Sequence, residues 1–552
     1  MRMIDPDDTP RLRKERGAFF TPPGITEFVA SWAIRTPSDR VLEPAAGDAA
    51  FLIAAVERLA GLRPTSETPP EVEGVEIHEH SARVARARVR AAGGRARVRQ
   101  SDFFELAPQP RYDAVIGNPP YIRYQNFSGE ARAKSRQAAL RGGVALTGLA
   151  SSWAAFTVHA CLFLKPGGRL GLVLPAELLS VNYAAPVRQF LFHRFRNVEL
   201  VLFSEQVFPE AEADVVLLLA DGYEQGPAGH AVIRQTRNAD SLAALDAGQV
   251  WAPTDPAAKW TGSLVDPRAM QALDTLLHDG AFVPLETWGD TTLGMVTGNN
   301  KYFAISPERA RALGLRANEL LPLSPPGSAH LRGLTLSEEL LAKLGAQGQS
   351  TLLFYPRLKP SRPAAAYIED GHRTGVDTAY KCRVRKVWYR VPLVPPADLL
   401  LTCMNADTPR LVTNEAHAYH LNSVHGVYLH AEHRDIGREL LPLASLNSAT
   451  LMHAEMVGRA YGGGILKLEP KEADRWAMPS AACVRERAHA LRSVRASVAA
   501  RLHEGDLTGA VELVDQALFA RTDRLCAEQL ERMRAARAML ANRREARSNS
   551  GR

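Results

Sequence analysis

Residues 112–125 read YDAVIGNPPYIRYQ. An apolar, strand-like run through Ala114, Val115 and Ile116 stops at Gly117 and gives way to Asn118-Pro119-Pro120-Tyr121. Proline has no N–H to give to a sheet ladder and holds φ fixed, so the strand ends here and the loop beyond it is stiff. The carbonyls of such a loop have no ladder partners. Together with the Asn118 amide oxygen they form a two-acceptor cradle suited to a planar NH2 group. Tyr121 offers a flat face for the ring that bears that group. The competing reading is a purely structural turn.

Working outward, residues 39–220 alternate short β-like runs with helical stretches. The runs are RVLEPAA, VEGVEI, ARVRQSDF, DAVIGNPP, RLGLVLP, VELVLF and ADVVLLLA, with patterns such as AAFLIAAVERLA and SSWAAFTVHACLFL between them. This is the βαβ signature of an α/β fold with a doubly wound, mostly parallel sheet. LKPGGRLGLVLP reads as a helix end, a Pro-Gly-Gly turn and a strand.

In such a sheet ligands bind at the carboxyl ends of the strands. The first strand ends in VLEPAAGDAAF, where Glu43 precedes a sharp turn, Pro44 to Ala50, whose small residues, Ala45 and Gly47 among them, let a ligand approach the backbone. The second ends at Glu76, placed for a ribose diol, and the third leads to Asp102, an acceptor for an exocyclic amine, and Phe103, a ring to lie against a base. Taken singly, each reads equally well as a surface acid, a turn residue or a core Phe. At three successive strand ends they describe a nucleoside pocket, and no P-loop accompanies them to hold a triphosphate.

The length of 552 residues predicts two or three domains, and 46% hydrophobic with 23% charged residues fits a globular protein. No apolar run approaches a membrane span, and MRMIDPDDTPRLRKERG lacks the apolar core of a secretory signal. Cys161, Cys382, Cys403, Cys483 and Cys526 lie far apart without a CxxC pair, which argues against zinc or a disulfide framework and for the reducing cytoplasm. A net charge of +7 and a pI near 9.2 invite a polyanionic partner, although 56 Arg against 11 Lys in an Ala-rich chain also follows from genome base composition.

Residues 1–245 are expected to form the catalytic domain, with a turn-rich linker over 222–265. Residues 266–480 read as a mixed, irregular α+β domain. Residues 481–552 read as a helical tail whose 14 Arg against 9 acids make it basic.

With these residues in view, the chain resembles the gamma-class N6-adenine DNA methyltransferases of restriction-modification systems, which use S-adenosylmethionine. GAFFTPPGITEFVASWAI, residues 17–34, is similar to the family's N-terminal motif, and the resemblance gives Thr21 a contact with the methionine part of the cofactor. VLEPAAGDAAFL resembles the family's cofactor loop, departing from it at Ala49, where a Gly or another small residue often sits. Glu76 matches the ribose acid, Ile77 its neighbour beside the cofactor's adenine, Asp102 and Phe103 the adenine-contacting pair, and Asn118, Pro119, Pro120 and Tyr121 the catalytic loop. In SEQVFPEAEADVVLLLA, Phe208 matches an aromatic residue that packs on a flipped base.

TTLGMVTGNNKYFAI, RAYGGGILKLEPKEADRWAMP and, more weakly, NSVHGVYLH resemble segments of the family's target-recognition domain. The resemblance implies a Rossmann-like methyltransferase sheet, a C-terminal target-recognition domain with a helical tail, and double-stranded DNA as substrate. It also implies a separately encoded restriction endonuclease as a possible companion. The basic residues of 266–552, the tail included, are expected to contact phosphates. Because the Gly17–Pro23 motif starts so early, no nuclease domain is expected upstream.

Three rivals share some of these features. Protein N5-glutamine methyltransferases also use NPPY but lack a large C-terminal domain. N4-cytosine DNA methyltransferases present a similar cradle, more often with Ser in place of Asn118. A non-enzymatic DNA-binding subunit would have no need of an intact NPPY loop beside intact pocket acids.

Overall fold

The computed structural model describes residues 21–63, 68–205, 207–208, 215–253, 255–461, 463–520 and 522–549. It contains two compact units, the first running to Leu264 and the second from Val265 to Asn549. Residues 17–20 of the N-terminal motif lie outside the described residues; Thr21 lies within them.

The first unit is built on a nine-stranded sheet. Its strands are β1 (Val41–Glu43), β2 (Glu71–Glu76), β3 (Arg95–Gln100), β4 (Tyr112–Gly117), β5 (Leu164–Pro175), β6 (Phe195–Phe203), β7 (Val215–Tyr223), β8 (Ala231–Thr236) and β9 (Gln249–Trp251). Their order is 3-2-1-4-5-7-6-8-9. β1, β2, β3, β4 and β5 run parallel, β7 is inserted antiparallel between β5 and β6, β8 is parallel to β6, and β9 closes the edge antiparallel. The central strands are covered on both faces and therefore read as continuous apolar runs: Ala114, Val115 and Ile116 are all fully buried.

Helices α1 (Pro23–Ala33), α2 (Ala50–Gly61) and α3 (Glu79–Ala91) cover the sheet with apolar residues at helical spacing: Ile25, Val29 and Ala33 on α1, Leu52, Val56 and Leu59 on α2, and Ala82, Ala85 and Val89 on α3. These side chains join one core cluster with β1, β4 and β7 residues. Strand order reverses between β1 and β4, so the loops leaving these two neighbours diverge and open a crevice at their carboxyl ends.

The expected linker over 222–265 is corrected by β8 and β9, which extend the sheet. The segment between β9 and Leu264 is anchored by burial: Trp260 is fully buried, stands edge-on to Phe192 at 5.2 Å, and donates its indole N–H to the Pro256 carbonyl at 2.9 Å. The buried Arg188 guanidinium donates to the carbonyls of Ala257, Leu178 and Val181. Composition reported the turns correctly but not these long-range partners, which supply the order.

The second unit holds a five-stranded sheet in the order Gly289–Leu293, Val424–Leu429, Leu399–Thr402, Leu411–Asn414, Thr335–Leu336, and a smaller sheet of Ala304–Ile305, Leu352–Phe354 and Leu320–Pro322. The tail forms a short helix, Ala481–Glu486, and three longer ones, Ala488–His503, Leu507–Phe519 and Ala527–Asn549. It is not a free basic arm. Arg492, Arg501, Arg524, Arg532, Arg534 and Arg544 each pair with a carboxylate of this unit. The most enclosed pair is Arg544 with Glu455, whose two carboxylate oxygens accept from Nε at 3.1 Å and Nη2 at 3.0 Å.

A buried charge stripped of its partner is costly, so Arg544→Ala is expected to destabilise the second unit by about 3–5 kcal/mol. Urea denaturation followed by tryptophan fluorescence checks this, with the exposed-pair variant Arg501→Ala expected to shift stability by about 1 kcal/mol or less.

Candidate functional site

The crevice between β1 and β4 is built from four strand ends. After β1 the chain makes a tight turn in which Gly47 has φ +47° and Ala49 φ +68°. Ala49 is a non-glycine residue in the left-handed region, where a Cβ costs about 1–2 kcal/mol, which gives a physical reason for glycine at this point of the loop. Ala49 also stands at the N-cap of α2 with no side chain to cap it. The Glu43 carboxylate does this from the end of β1, accepting the Leu52 N–H at 3.1 Å. Burial pushes the Glu43 carboxyl well above the usual carboxylate range, and the neighbouring Asp48 and Glu76 charges push the same way.

At the end of β2 both oxygens of Glu76 are fixed by backbone: Oε2 accepts Gly47 N–H at 2.8 Å and Oε1 accepts His78 N–H at 2.9 Å. Glu76 therefore ties the β1 loop to the β2 end. Next to it Ile77 is 56% exposed, a large apolar side chain standing open at a strand end. After β3 the Asp102 Oδ1 accepts Phe104 N–H at 3.0 Å and caps the following turn. The Phe103 ring, expected to lie against a base, is only 4% exposed and sits among Phe156, His159 and Phe163 with centroids 4.7–5.1 Å away. It presents no open face; the ring serves the core. His159, whose Nε2 lies 3.1 Å from the Phe103 carbonyl, is held uncharged near neutrality, burial lowering its pKa to about 4.

The loop after β4 is held from three sides. The Tyr121 hydroxyl lies 2.5 Å from Asn118 Oδ1 and 2.9 Å from the Val173 carbonyl on β5. The Asn118 amide nitrogen donates to Thr21 Oγ1 at 3.2 Å. Ser152, first residue of a helix spanning Ser152–Cys161, accepts Ile122 N–H at 2.8 Å on its Oγ, donates from that hydroxyl to the Pro120 carbonyl at 2.5 Å, and donates its own N–H to the Ile122 carbonyl. The Pro119 carbonyl accepts no hydrogen bond among the described residues.

The structure thus joins Thr21, Asn118 and Tyr121 in one network and Gly47 with Glu76 in another. Tyr121 and Phe208 pack on the same apolar cluster, Phe208 being 4% exposed within it. Burial pushes the Tyr121 phenol well above its usual range, so it stays a hydroxyl. Two scaffold roles, that of Glu43, expected at the cofactor loop, and that of Ser152, were not read from the sequence. The capping role of Glu43 was signalled only by the missing cap at Ala49. Ser152 lies 30 residues from the loop it pins and gave no local signal.

In the second unit, three motifs far apart in sequence meet. Residues 289–293 pair antiparallel with 425–429, and His425 Nε2 lies 2.8 Å from the Leu468 carbonyl. In VTGNN the side chains are used locally: Asn299 caps the short helix Asn300–Phe303, and Thr297 Oγ1 bonds Asn300 Oδ1 at 2.5 Å.

The sheet order, with its antiparallel β7, is that of the Rossmann-like methyltransferase fold, with the Asn118–Tyr121 loop at its switch point. Residues 74–208 match the family model of the Eco57I restriction-modification methylase, and residues 257–519 match that of the C-terminal domain of the Type II methyltransferase M.Eco57I. The Type II methyltransferase M.XamI of Xanthomonas campestris pv. amaranthicola is 25% identical over 84% of this chain and 85% of its own, and M.AccI of Acinetobacter calcoaceticus is 22% identical over 84% and 86%. The solved structure of the Type IIL restriction-modification enzyme MmeI in complex with DNA shares the fold at a TM-score of 0.51 and 10% identity, over 94% of this chain and 75% of that one. The chain belongs to the Type II restriction-modification DNA methyltransferases that combine an Eco57I-type methylase region with an M.Eco57I-type C-terminal domain.

Two outcomes follow from the scaffold. Ser152→Ala removes both side-chain bonds to the loop, each worth about 1 kcal/mol, and is expected to slow DNA methylation roughly tenfold while leaving the melting temperature within a few degrees. A methyl-incorporation assay beside a thermal melt checks it.

The second concerns Glu43. Its folded-state pKa is raised, so the stability it contributes is complete below about 4.5, the ordinary value, and is lost as pH rises through the folded value. Glu43→Gln keeps a neutral acceptor for Leu52 N–H at every pH. The stability of the variant relative to the parent is therefore expected to grow as pH rises from 4.5 toward 8, which denaturant titrations along that series test.

Proposed function

We propose that this enzyme transfers a methyl group from S-adenosylmethionine to N6 of an adenine swung out of double-stranded DNA. The observation that carries the reading is the loop after β4. Its Pro120 and Ile122 polar groups are satisfied by Ser152, while the Pro119 carbonyl is left without a donor beside the Asn118 amide. A primary amine with two hydrogens to place fits that pair of acceptors.

The residues around the β1–β4 crevice fit the cofactor. Glu76, held by two backbone N–H groups, keeps lone pairs for a ribose diol. Exposed Ile77 gives an apolar surface for an adenine ring, and Asp102, with Oδ2 unbonded among the described residues, an acceptor for its amine. Gly47 has open space where a Cβ would stand, which allows close approach at the loop of Glu43 and Ala45. Thr21, bonded to Asn118, would contact the methionine part. S-adenosylmethionine supplies an electrophilic methyl on a sulfonium centre. The Phe103 side chain acts by packing rather than by stacking on the ring.

DNA keeps adenine N6 inside a base pair, so the nucleotide must leave the stack at a cost of a few kcal/mol. Stacking on an aromatic side chain returns about 1–3 kcal/mol. Tyr121 provides the face, fixed by its hydroxyl bonds, and Phe208 backs the same cluster. The N6 lone pair is delocalised into the ring and is a poor nucleophile. When Asn118 Oδ1, through the lone pair Tyr121 does not use, and the Pro119 carbonyl accept the two N6 hydrogens, the nitrogen is drawn toward tetrahedral geometry with its lone pair aimed at the methyl. As the bond from N6 to the methyl forms, the bond from the methyl to sulfur would break, S-adenosylhomocysteine would leave, and one N6 proton would pass to solvent. Fixed dipoles and positioning carry the step. In a host this modification would protect DNA against a separately encoded endonuclease.

Incubation with unmethylated plasmid and S-adenosylmethionine, digestion to nucleosides and mass spectrometry test the reading. N6-methyladenine is expected; N4-methylcytosine, or methyl groups on protein glutamine instead of DNA, overturns it. Asn118→Ala is expected to cut methylation by ~10²–10³-fold, the scale of one aimed hydrogen-bonding group, with cofactor affinity nearly unchanged by calorimetry. Glu76→Ala is expected to do the reverse, weakening cofactor binding first, by about 1.5–3 kcal/mol.

A further inference from the structure

Positive charge in the second unit is used in two different ways. Six of the tail arginines are paired with carboxylates within the unit, as described above. Arg357, Lys359, Lys381, Arg383 and Lys386 are exposed, and none forms an ion pair among the described residues. No acid occurs between Thr378 and Ala397, and Asp377, just before that stretch, is bonded to His372.

Two arginines of the same segment fix its shape instead. Arg385 Nη2 donates to the Val296 and Thr297 carbonyls, both at 2.8 Å, which ties the segment to the VTGNN motif. The Arg390 guanidinium lies 3.9 Å from the Tyr355 ring centroid and donates to the Pro356 carbonyl at 2.6 Å, which ties it to the chain just before Arg357. Between these staples lies an open groove of about 670 Å³, lined among others by Gly294, Val296, Leu358, Lys381, Val384 and Lys386. Leu358 is 71% and Val384 60% exposed, apolar side chains set among unpaired cations.

We infer that this groove is the surface by which the second unit grips DNA, with phosphates held by Lys381 and Lys386 of its lining and by Lys359 and Arg383, the chain neighbours of the lining residues Leu358 and Val384, and with Leu358 and Val384 against sugars and base edges. The inference rests on the DNA-methylation reading above and assigns the phosphate contacts to this groove rather than to the basic tail. Charge complementarity favours this occupant. Unneutralised Lys and Arg around a concave surface attract a regularly spaced polyanion, and each phosphate contact releases counterions. Exposed apolar groups between them suit the C5-methyl of thymine and the deoxyribose rather than a second layer of charge. Fixing the segment by Arg385 and Arg390 keeps these groups presented without ordering cost at the moment of binding.

The test uses the full-length protein, short fluorescein-labelled duplexes and anisotropy across a salt series. The triple variant Lys381→Ala, Arg383→Ala, Lys386→Ala is expected to flatten the slope of log K against log salt by roughly 0.9 for each cation removed, about 2.7 in all, and to bind DNA at least tenfold more weakly at physiological salt. Calorimetry with S-adenosylmethionine is expected to give the parent affinity. Lys381→Arg with Lys386→Arg is expected to retain the parent slope, and the tail variant Arg492→Ala, Arg501→Ala to leave it unchanged. Should the triple variant fail to bind the cofactor, the single variants Arg383→Glu and Lys386→Glu carry the same comparison.

An unchanged slope in the groove variants, with parent protein that binds and methylates DNA, overturns the inference and leaves the groove to another partner, such as an acidic protein. Parent protein that neither binds duplex in a salt-dependent way nor methylates it overturns the DNA-methylation reading instead.

Discussion

The parallel pairing of β1 with β4, Val41 opposite Ala114 and Leu42 opposite Val115, is the contact on which the catalytic half depends. It is here that strand order reverses. Strands on one side continue to β2 and β3, and those on the other to β5, β7 and β6. Two loops that are about 70 residues apart in sequence are thereby placed side by side at one end of the sheet. One carries Glu43 and Gly47, the other Asn118 and Tyr121. Had the two strands not been neighbours, neither loop alone would contain a site.

Within that crevice most polar groups are satisfied locally and a few acceptors are not. Ser152 absorbs the polar groups of Pro120 and Ile122, and Tyr121 spends its hydroxyl on Asn118 and Val173. Glu76 is held by two N–H groups. What is left over, the Pro119 carbonyl and the remaining lone pairs of Asn118 and Glu76, is aimed rather than searching. On the proposed reading these are the groups that meet the substrate, and pre-aligned dipoles need no reorganisation at that moment.

The same division runs through the charges of the second unit. A formal excess of positive residues in the tail says little about binding, because Arg544, Arg534 and Arg532 are matched by Glu455, Asp515 and Asp266. Net charge is a sum over a segment, whereas a polyanion responds to the cations that remain unpaired. Arg357, Lys359, Lys381, Arg383 and Lys386 are among these, in stretches too short to stand out in composition.

The sequence by itself determined the strand and helix periods of residues 39–220 and the position of the stiff NPPY loop. It also determined the acids at three strand ends and the chemistry their types permit. These are local properties: side-chain alternation, proline's missing N–H, a carboxylate at the end of an apolar run. Only the tertiary structure decided what each residue touches. It turned a turn-rich stretch into β8 and β9, because strand pairing and the burial of Trp260 are long-range. It drew the Phe103 ring into the core with Phe156 and His159, and made Glu43 the cap of a helix that begins without one. It also bonded Ser152 to the loop and paired six of the tail arginines with carboxylates. Each of these outcomes depends on a partner distant in the chain, and a single sequence carries the donor and the acceptor without the distance between them.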